Sequence, residues 1–397
     1  MPVINSVAAM KDEIAALRRE MHQNPQTSYE ETFASGLVAK QLKQWGIKFE
    51  QGIAVTGIIA TIEGQKNTSG KAIGLRADMD ALDIIEKSGQ PWSSKNDGKM
   101  HACGHDGHTS MLLGVAKYLN DNRNFNGKVY LIFQPAEEGG GGAYKMIEEG
   151  LFKKYPMDAI YGLHNWPWMK AGTIGTRKGP LMASSDSFTI KIMGKGGHAA
   201  MPHKTVDPVL VASHIVTALQ GIVARNIDPV DQAVVSITNI HAGTGAFNII
   251  PDSAEMTGTC RAFTRETRQH LHDRITDIVK HIAEAHMATA EIVIFDGYDP
   301  TINTAAEVDN AIAAATAVVG EANVMTDIAP VMGAEDFGAY TAEKSGAFIF
   351  LGQGVDKKDS PHNHGLHSPH YDFNDEVIPV GVSWFAKVVE TTMPIDK

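Results

Sequence analysis

The chain has 397 residues, 43% of them hydrophobic and 20% charged, with a net charge of −11. That length exceeds what one core usually serves, so two domains are expected, and the acidic balance argues against nucleic acid and anionic membranes as main partners. Two cysteines cannot build a disulfide framework, M-P-V-I-N-S-V-A-A-M runs into charged residues with no signal peptide, and no uninterrupted apolar run approaches a membrane span, so a cytoplasmic protein is expected.

Val7, Met10, Ile14, Leu17 and Met21 recur at helical spacing, with Ser6 as a candidate cap, and predict a first helix ending near Asn24-Pro25. A second spans Tyr29 to Trp45. Ala54 to Ile62 and Lys71 to Arg76 read as strands, the second delivering Asp78, Asp80 and Asp83 at its carboxyl end. A helix from Gly107 to Leu119, a strand from Lys128 to Phe133, a helix closing at Ile147–Leu151 and a strand from Ala159 ending in His164 follow. This alternation implies an α/β domain with a mostly parallel sheet and flanking helices, where function collects beyond strand carboxyl ends.

The rhythm then changes. Ser187–Met193, Ala233–His241, Ser253–Phe263 and Ala290–Phe295 read as strands, and Pro208–Arg225 and Glu266–Met287 as helices. The order β-α-β-β-α-β is the ferredoxin-like unit, here inserted into the first domain. An Ala-rich helix over Ala305–Val319, a strand over Ala347–Leu351, a His-rich loop at Pro361–Tyr371 and a last helix from Pro379 complete the chain.

Met100 to Thr109 reads M-H-A-C-G-H-D-G-H-T. Cys103, His101, His105, His108 and Asp106 put sulfur, imidazole and carboxylate within ten residues, the donor chemistry of a transition-metal site. Glu137 and Glu138 follow a strand and precede four glycines. Adjacent residues on extended chain point in different directions, so one can bind metal while the other serves as a general base. His164 is a ligand candidate by its place at a strand end, and the loop histidines His362, His364, His367 and His370 are not separable by spacing. G-K-G-G-H-A-A-M-P-H at 194–203 lacks the Gly-Lys-Ser/Thr end of a phosphate loop.

Taken together, R-A-D-M-D-A-L at 76–82, H-A-C-G-H-D-G-H at 101–108, F-Q-P-A-E-E at 133–138, G-L-H at 162–164, the 194–203 segment, N-I-I-P at 248–251, G-A-E-D-F at 333–337 and L-H-S-P-H-Y-D-F-N-D at 366–375 resemble the M20 metallopeptidases and amidohydrolases. The resemblance is to the branch of hippurate hydrolases, N-acyl-amino-acid amidohydrolases and auxin-conjugate hydrolases. It implies a catalytic di-metal domain over 1–183 and 297–397 and a lid or dimerisation domain over 184–296. It implies the ligands Cys103, His105, Glu138, His164 and His367 for two divalent ions, Zn or Mn, with Co or Ni also compatible. Glu137 becomes the general base and Asp80 a support from behind the metals. His198 and Asn248 are implied near the oxyanion, His198 reaching the site from the lid, often that of a partner subunit. Arg261 is implied to bind the substrate carboxylate, which a bidentate guanidinium suits. The other histidines of the two clusters fall back to supporting roles. Asp78 stands where the wider family has a metal-binding His and is given no ligand role, and Asp83 replaces the usual Pro.

The activity implied is hydrolysis of the amide in N-acyl-L-amino acids, by water activated at the metals with Glu137 taking its proton. A homodimer through the lid, or a homotetramer, is expected. The rival readings are a dipeptidase or carboxypeptidase using the same centre, and a non-catalytic metal-binding or ligand-binding protein on the same fold.

Overall fold

The computed structural model describes residues 3–395. The chain divides into two compact units, Met1–Leu181 with Ile302–Ala329 and Asp336–Lys397, and Met182–Thr301 with Pro330–Glu335. The second unit thus includes a six-residue excursion, 330–335, lying far along the chain from its main body.

The first unit opens with α1 (Asn5–Ala9), α2 (Lys11–His22) and α3 (Thr32–Gln44), then β1 (Lys48–Ile53), β2 (Gly57–Glu63), β3 (Ala72–Asp78), α4 (His105–Asp121), β4 (Lys128–Gln134), α5 (Gly142–Glu148), α6 (Leu151–Lys154), β5 (Ala159–Lys170) and β6 (Ile174–Gly175). After β7 (Gly179–Met182) come β8 (Ser185–Met193), β9 (Gly197–His198), α7 (Pro208–Asn226), β10 (Ala233–Ala242), β11 (Ile249–Ile250), β12 (Ser253–Ala262), α8 (Arg265–Ala285) and β13 (Thr289–Tyr298). β14 (Thr301–Asn303), α9 (Ala305–Val319), β15 (Val324–Met325), α10 (Phe337–Glu343), β16 (Ser345–Gly354) and α11 (Ile378–Thr392) close the chain.

The first unit is built on an eight-stranded sheet in the order β1-β2-β4-β3-β5-β16-β6-β15. Its centre, β4-β3-β5-β16, is parallel, with antiparallel pairing on either side. β3 and β4 are mostly apolar and buried along almost their whole length, as strands covered on both faces require. α4 is packed among neighbours closely enough that a Cβ on Gly114 would lie 2.8 Å from Val382 of α11. The register of β3 on β4 puts Asp78 opposite Gln134. The chain therefore leaves the sheet at 79–80 and at 135–138 side by side.

Two expectations need correcting here. The predicted first helix is interrupted at Met10, whose N–H donates to Val7 O at 3.0 Å in a tighter turn, and its N-cap is Ile4 rather than Ser6. The strand carrying His164 does not end there. It runs six residues further to Lys170, because β16 pairs alongside it, Phe350 opposite His164 and Leu351 opposite Asn165. The other neighbour, β3, pairs only as far as Gly162, so His164 still lies just past the last residue paired to that strand.

The second unit is a four-stranded antiparallel sheet, β10-β12-β8-β13, with α7 and α8 packed on it. This is the β-α-β-β-α-β arrangement read from periodicity. Asp207 caps α7 from the position before Pro208, accepting from Val209 N at 2.9 Å, and Thr264 caps α8. Among the described residues α7 is the helix long and apolar enough to cross a membrane, by length and composition only. Its Val211, Ala212, Ile215, Leu219 and Ile222 are buried in the core of this unit.

Candidate metal centre

The 101–108 segment turns into α4 through Gly104, at φ +92°. A Cβ there would lie 2.3 Å from Asn165 Oδ1 and 2.6 Å from Tyr371 Oη, so only glycine fits. That turn sets Cys103 in the loop and His105 at the first helical position, both buried. β4 runs into Ala136, a non-glycine residue at φ +55°, which leads into Glu137 and Glu138. His367 is at φ +65° in the loop before α11. Left-handed backbone at two non-glycine residues is strain of the kind that clusters at functional sites.

The donors converge. Cys103 Sγ lies 3.3 Å from His164 Nε2, and Glu138 Oε1 3.0 Å from His367 Nε2. Cys103, His105 and His164 form one group with ligand atoms within 4.8 Å of one another, and Cys103, Glu138 and His367 form another. Cys103 belongs to both. Glu137 joins His105 and Glu138 in a third group, its Oε2 3.9 Å from His105 Nε2.

Among the described residues His105 Nε2 is buried with no hydrogen-bond partner, and the buried Glu138 Oε1 forms no hydrogen bond beyond its ion-pair contact with His367 Nε2. Polar atoms in that state are costly unless a ligand satisfies them. A thiol, imidazoles and carboxylates with such open valences fit a divalent cation. In a fourth group, Asp78, His105 and His108, both nitrogens of His108 are satisfied internally. His108 Nδ1 lies 2.6 Å from Asp78 and its Nε2 2.7 Å from Asn165 Oδ1, while Arg76 donates to Asp78 at 2.6 Å.

The surroundings orient these donors. His164 Nδ1 donates to Asn165 O at 2.7 Å, which leaves Nε2 as the lone-pair nitrogen beside Cys103. Asp80 Oδ1 lies 3.2 Å from His105 Nδ1, and its Oδ2 accepts from Glu138 N at 2.9 Å and from Ser28 Oγ at 3.3 Å. One carboxylate so ties the His105 ring to the 137–138 turn. Burial opposes a charge on His105, but Asp78 and Asp80 outweigh it and push its pKa up to about 10. Burial, then Glu138 and Glu137, push the Cys103 thiol well above its usual range. Burial and the neighbouring His108 push His164 down. A cation taken up here therefore displaces protons.

The remaining histidines lie outside the donor set. His101 is buried beside His22 of α2, its Nδ1 without a hydrogen-bond partner among the described residues, and burial lowers its pKa to about 4. His362 faces Asp372 O, His370 faces Lys87 O, and His364 packs against His370. Asp83 is exposed, 3.8 Å from Lys99. In the second unit, β9 pairs with β11 so that His198 lies opposite Ile249, and Ala199 N donates to Asn248 O at 3.0 Å. His198 and Asn248 are thus exposed neighbours. Arg261 lies next to the carboxyl end of β12, opposite Val234, half-buried, and no carboxylate pairs with it among the described residues.

Glu31 is a site residue that sequence reasoning passed over. Its Oε1 accepts from Ala136 N at 2.9 Å and from Tyr29 N at 2.9 Å, holding the strained residue before Glu137. A glutamate at a helix start reads as solvated surface, and no spacing signal marks its burial. Asn165 is another, donating to Tyr371 Oη at 2.7 Å and to Gln353 while accepting from His108.

Next to the centre, His22 lies 2.8 Å from Asp106 and is buried. Burial lowers its pKa, but Asp106 more than compensates and raises it from 6.5 to about 9. The folded state therefore keeps a proton that the unfolded chain releases earlier. This stabilisation is complete below about pH 6.5 and is lost as the pH rises through about 9. A His22→Gln variant accordingly shows a larger Tm deficit at pH 6 than at pH 10. Equal deficits at both would rule out a protonated His22.

Residues 74–391 match peptidase family M20/M25/M40. Hippurate hydrolase of Campylobacter jejuni is 41% identical over 388 residues, covering 98% of each chain. Thermostable carboxypeptidase 2 of Saccharolobus solfataricus is 41% identical over 382 residues, covering 95% of this chain and 94% of its own. The crystal structure of the Bacillus subtilis YXEP protein, a dinuclear metal-binding peptidase of the M20 family, superposes with a TM-score of 0.84 at 34% identity, covering 97% of this chain and 99% of that one.

Proposed function

The chain belongs to peptidase family M20/M25/M40 and is an amidohydrolase, and from that premise we propose that it hydrolyses N-acyl-L-amino acids at a two-metal centre with Glu137 as general base. The observation that carries this reading is the pair of three-residue groups sharing Cys103, with Glu137 beside them. Cys103, His105 and His164 would hold one ion, and Cys103, Glu138 and His367 the other. Divalent ions bound there polarise the substrate carbonyl and lower the pKa of water.

The chain's own residues do the rest. Glu137 takes the proton of the attacking water and passes it to the leaving amine nitrogen. Asp80 holds the His105 ring and the Glu138 backbone at once. Arg261, with no carboxylate partner among the described residues, is assigned to the substrate carboxylate, and the exposed His198 and Asn248 to the carbonyl oxygen as charge develops. Phe247, Ile249, Val293 and Phe295 are exposed in the second unit, which supports self-association through it. Two buried free thiols support a reducing, cytoplasmic setting.

The acyl group is read as aromatic. Trp166 follows His164 on the same strand face, their rings 6.2 Å apart. It stacks on Phe350 at 4.0 Å and meets Trp168 at 4.9 Å, and Trp168 is exposed. A flat acyl group has a ring surface to lie on there. Trp168→Ala is expected to lower kcat/KM for benzoyl-amino acids by about tenfold, the scale of a lost aromatic contact plus its buried area. Acetyl-amino acids should change by less than about twofold, having no ring to stack. Equal losses on both substrates would remove the shelf from the acyl site.

The whole reading is tested by incubating metal-analysed protein with hippurate, N-acetyl-amino acids and dipeptides, with and without chelator. Chelator-sensitive release of benzoate or acetate is expected. Cleavage of dipeptides alone would favour a peptidase, a reading supported by the 41% identity to the archaeal carboxypeptidase. Silence on every amide would overturn both.

A further inference from the structure

Arg18 and His22 lie one helical turn apart on α2, and both are fully buried. Arg18 Nη1 is 3.4 Å from Asp106 and 3.3 Å from Asp372, and its Nε donates to Asp375 at 2.9 Å. His22 holds the same Asp106 oxygen at 2.8 Å. Trp92 donates to the same Asp372 oxygen at 3.0 Å, and the Arg18 guanidinium lies 5.2 Å from the Trp92 ring centre. The three carboxylates come from two places. Asp106 follows His105 directly in the first turn of α4, while Asp372 and Asp375 follow the loop that carries His367.

His367 is the most weakly held of the convergent donors. Its side chain is 53% exposed, its backbone is left-handed, and its N–H is tied to the 101–104 loop by one bond, to Ala102 O at 2.8 Å. A planar, always charged fork that reaches both segments sets the spacing between them in a way that a flexible ammonium does not.

We propose that Arg18 is a positioning residue for the metal centre, a cross-brace that fixes the His367 loop against the Cys103–His105 turn and so sets the affinity for one of the two ions. The inference rests on the ligand assignment above. Arg18 pairs with Asp106, Asp372 and Asp375, none of which is a proposed ligand. Its removal should therefore weaken the ion held through Glu138 and His367 and spare the ion held through His105 and His164.

The test uses the full chain loaded with two equivalents of Co(II) and challenged with graded EDTA, following bound cobalt and the thiolate-to-cobalt absorption of Cys103. In Arg18→Met, one equivalent is expected to leave at chelator concentrations at least about tenfold lower than in the native protein, the scale of a lost supporting partner. The other equivalent and the thiolate band should persist. Arg18→Lys, which keeps the charge and loses the fork, guards against a variant that fails to fold and is expected to show the same selective loss. Retention of both equivalents by Arg18→Lys within about threefold of native, with an unchanged spectrum, would overturn the brace, because loss of a supporting partner costs more. Loss of both equivalents together in step with unfolding would overturn it as well. If the native chain itself takes up fewer than two equivalents, the di-metal reading fails first, and that result is separate.

Discussion

Glu137→Gln is expected to lower kcat by about 10²–10⁴-fold, the range that a positioned general base contributes, while metal content stays at the native level. The amide keeps the size and hydrogen-bonding shape of the carboxylate but cannot accept the proton. Glu137 is nearly buried, its Oε2 is 3.9 Å from His105 Nε2, and the backbone before it is held in a left-handed conformation by Glu31. The backbone that carries the side chain is therefore set by the fold. The measurement is kcat on a chelator-sensitive substrate alongside metal analysis of the same sample. Turnover surviving within about tenfold, with both ions present, would assign the proton transfer elsewhere. Glu138→Gln is the contrast, since it should lose metal together with activity.

Cys103→Ala should have the larger effect on metal. Its sulfur is the atom common to both three-residue groups, so one substitution removes a donor from each. Metal affinity is expected to fall by more than about 100-fold, beyond the loss that a supporting residue causes, and Co(II)-loaded protein should lack the thiolate absorption. Equilibrium dialysis and the cobalt spectrum check both. Two ions held at native affinity would show that Cys103 is a packed thiol. The metal-free protein supplies a second readout: burial and the nearby carboxylates keep the thiol protonated, so thiol reagents should react slowly until a cation draws the proton off.

How much of this was legible in the chain varies by element. α9 is read to the residue, Ala305–Val319, because a helix with one apolar face carries its own period. The strands and helices of the second unit are read within a few residues for the same reason. β1, K-F-E-Q-G-I, carries no local signal, because an exposed edge strand has no apolar alternation. Its hydrogen bonds come from β2, about ten residues later. The extension of β5 past His164 depends on β16, nearly two hundred residues away in sequence, and no local signal records it.

The site divides along the same line. The donor types in 101–108 and the pair at 137–138 are properties of short segments, and they point to a metal and to a base from composition and strand-end position alone. The resemblance of the motifs to the M20 family singles out five donors from that larger set. Why His105 has an open nitrogen while His108, one turn on, has none is a tertiary matter: Asp78 and Asn165 take up both nitrogens of His108. The brace at Arg18 likewise joins Asp106 to Asp372 and Asp375, more than 260 residues apart in number. The sequence by itself determined which chemistry the chain carries, because residue types and periodicities are local. Only the tertiary structure decided which of those groups stay unsatisfied, because a buried polar atom is free or filled according to neighbours that distant parts of the chain bring to it.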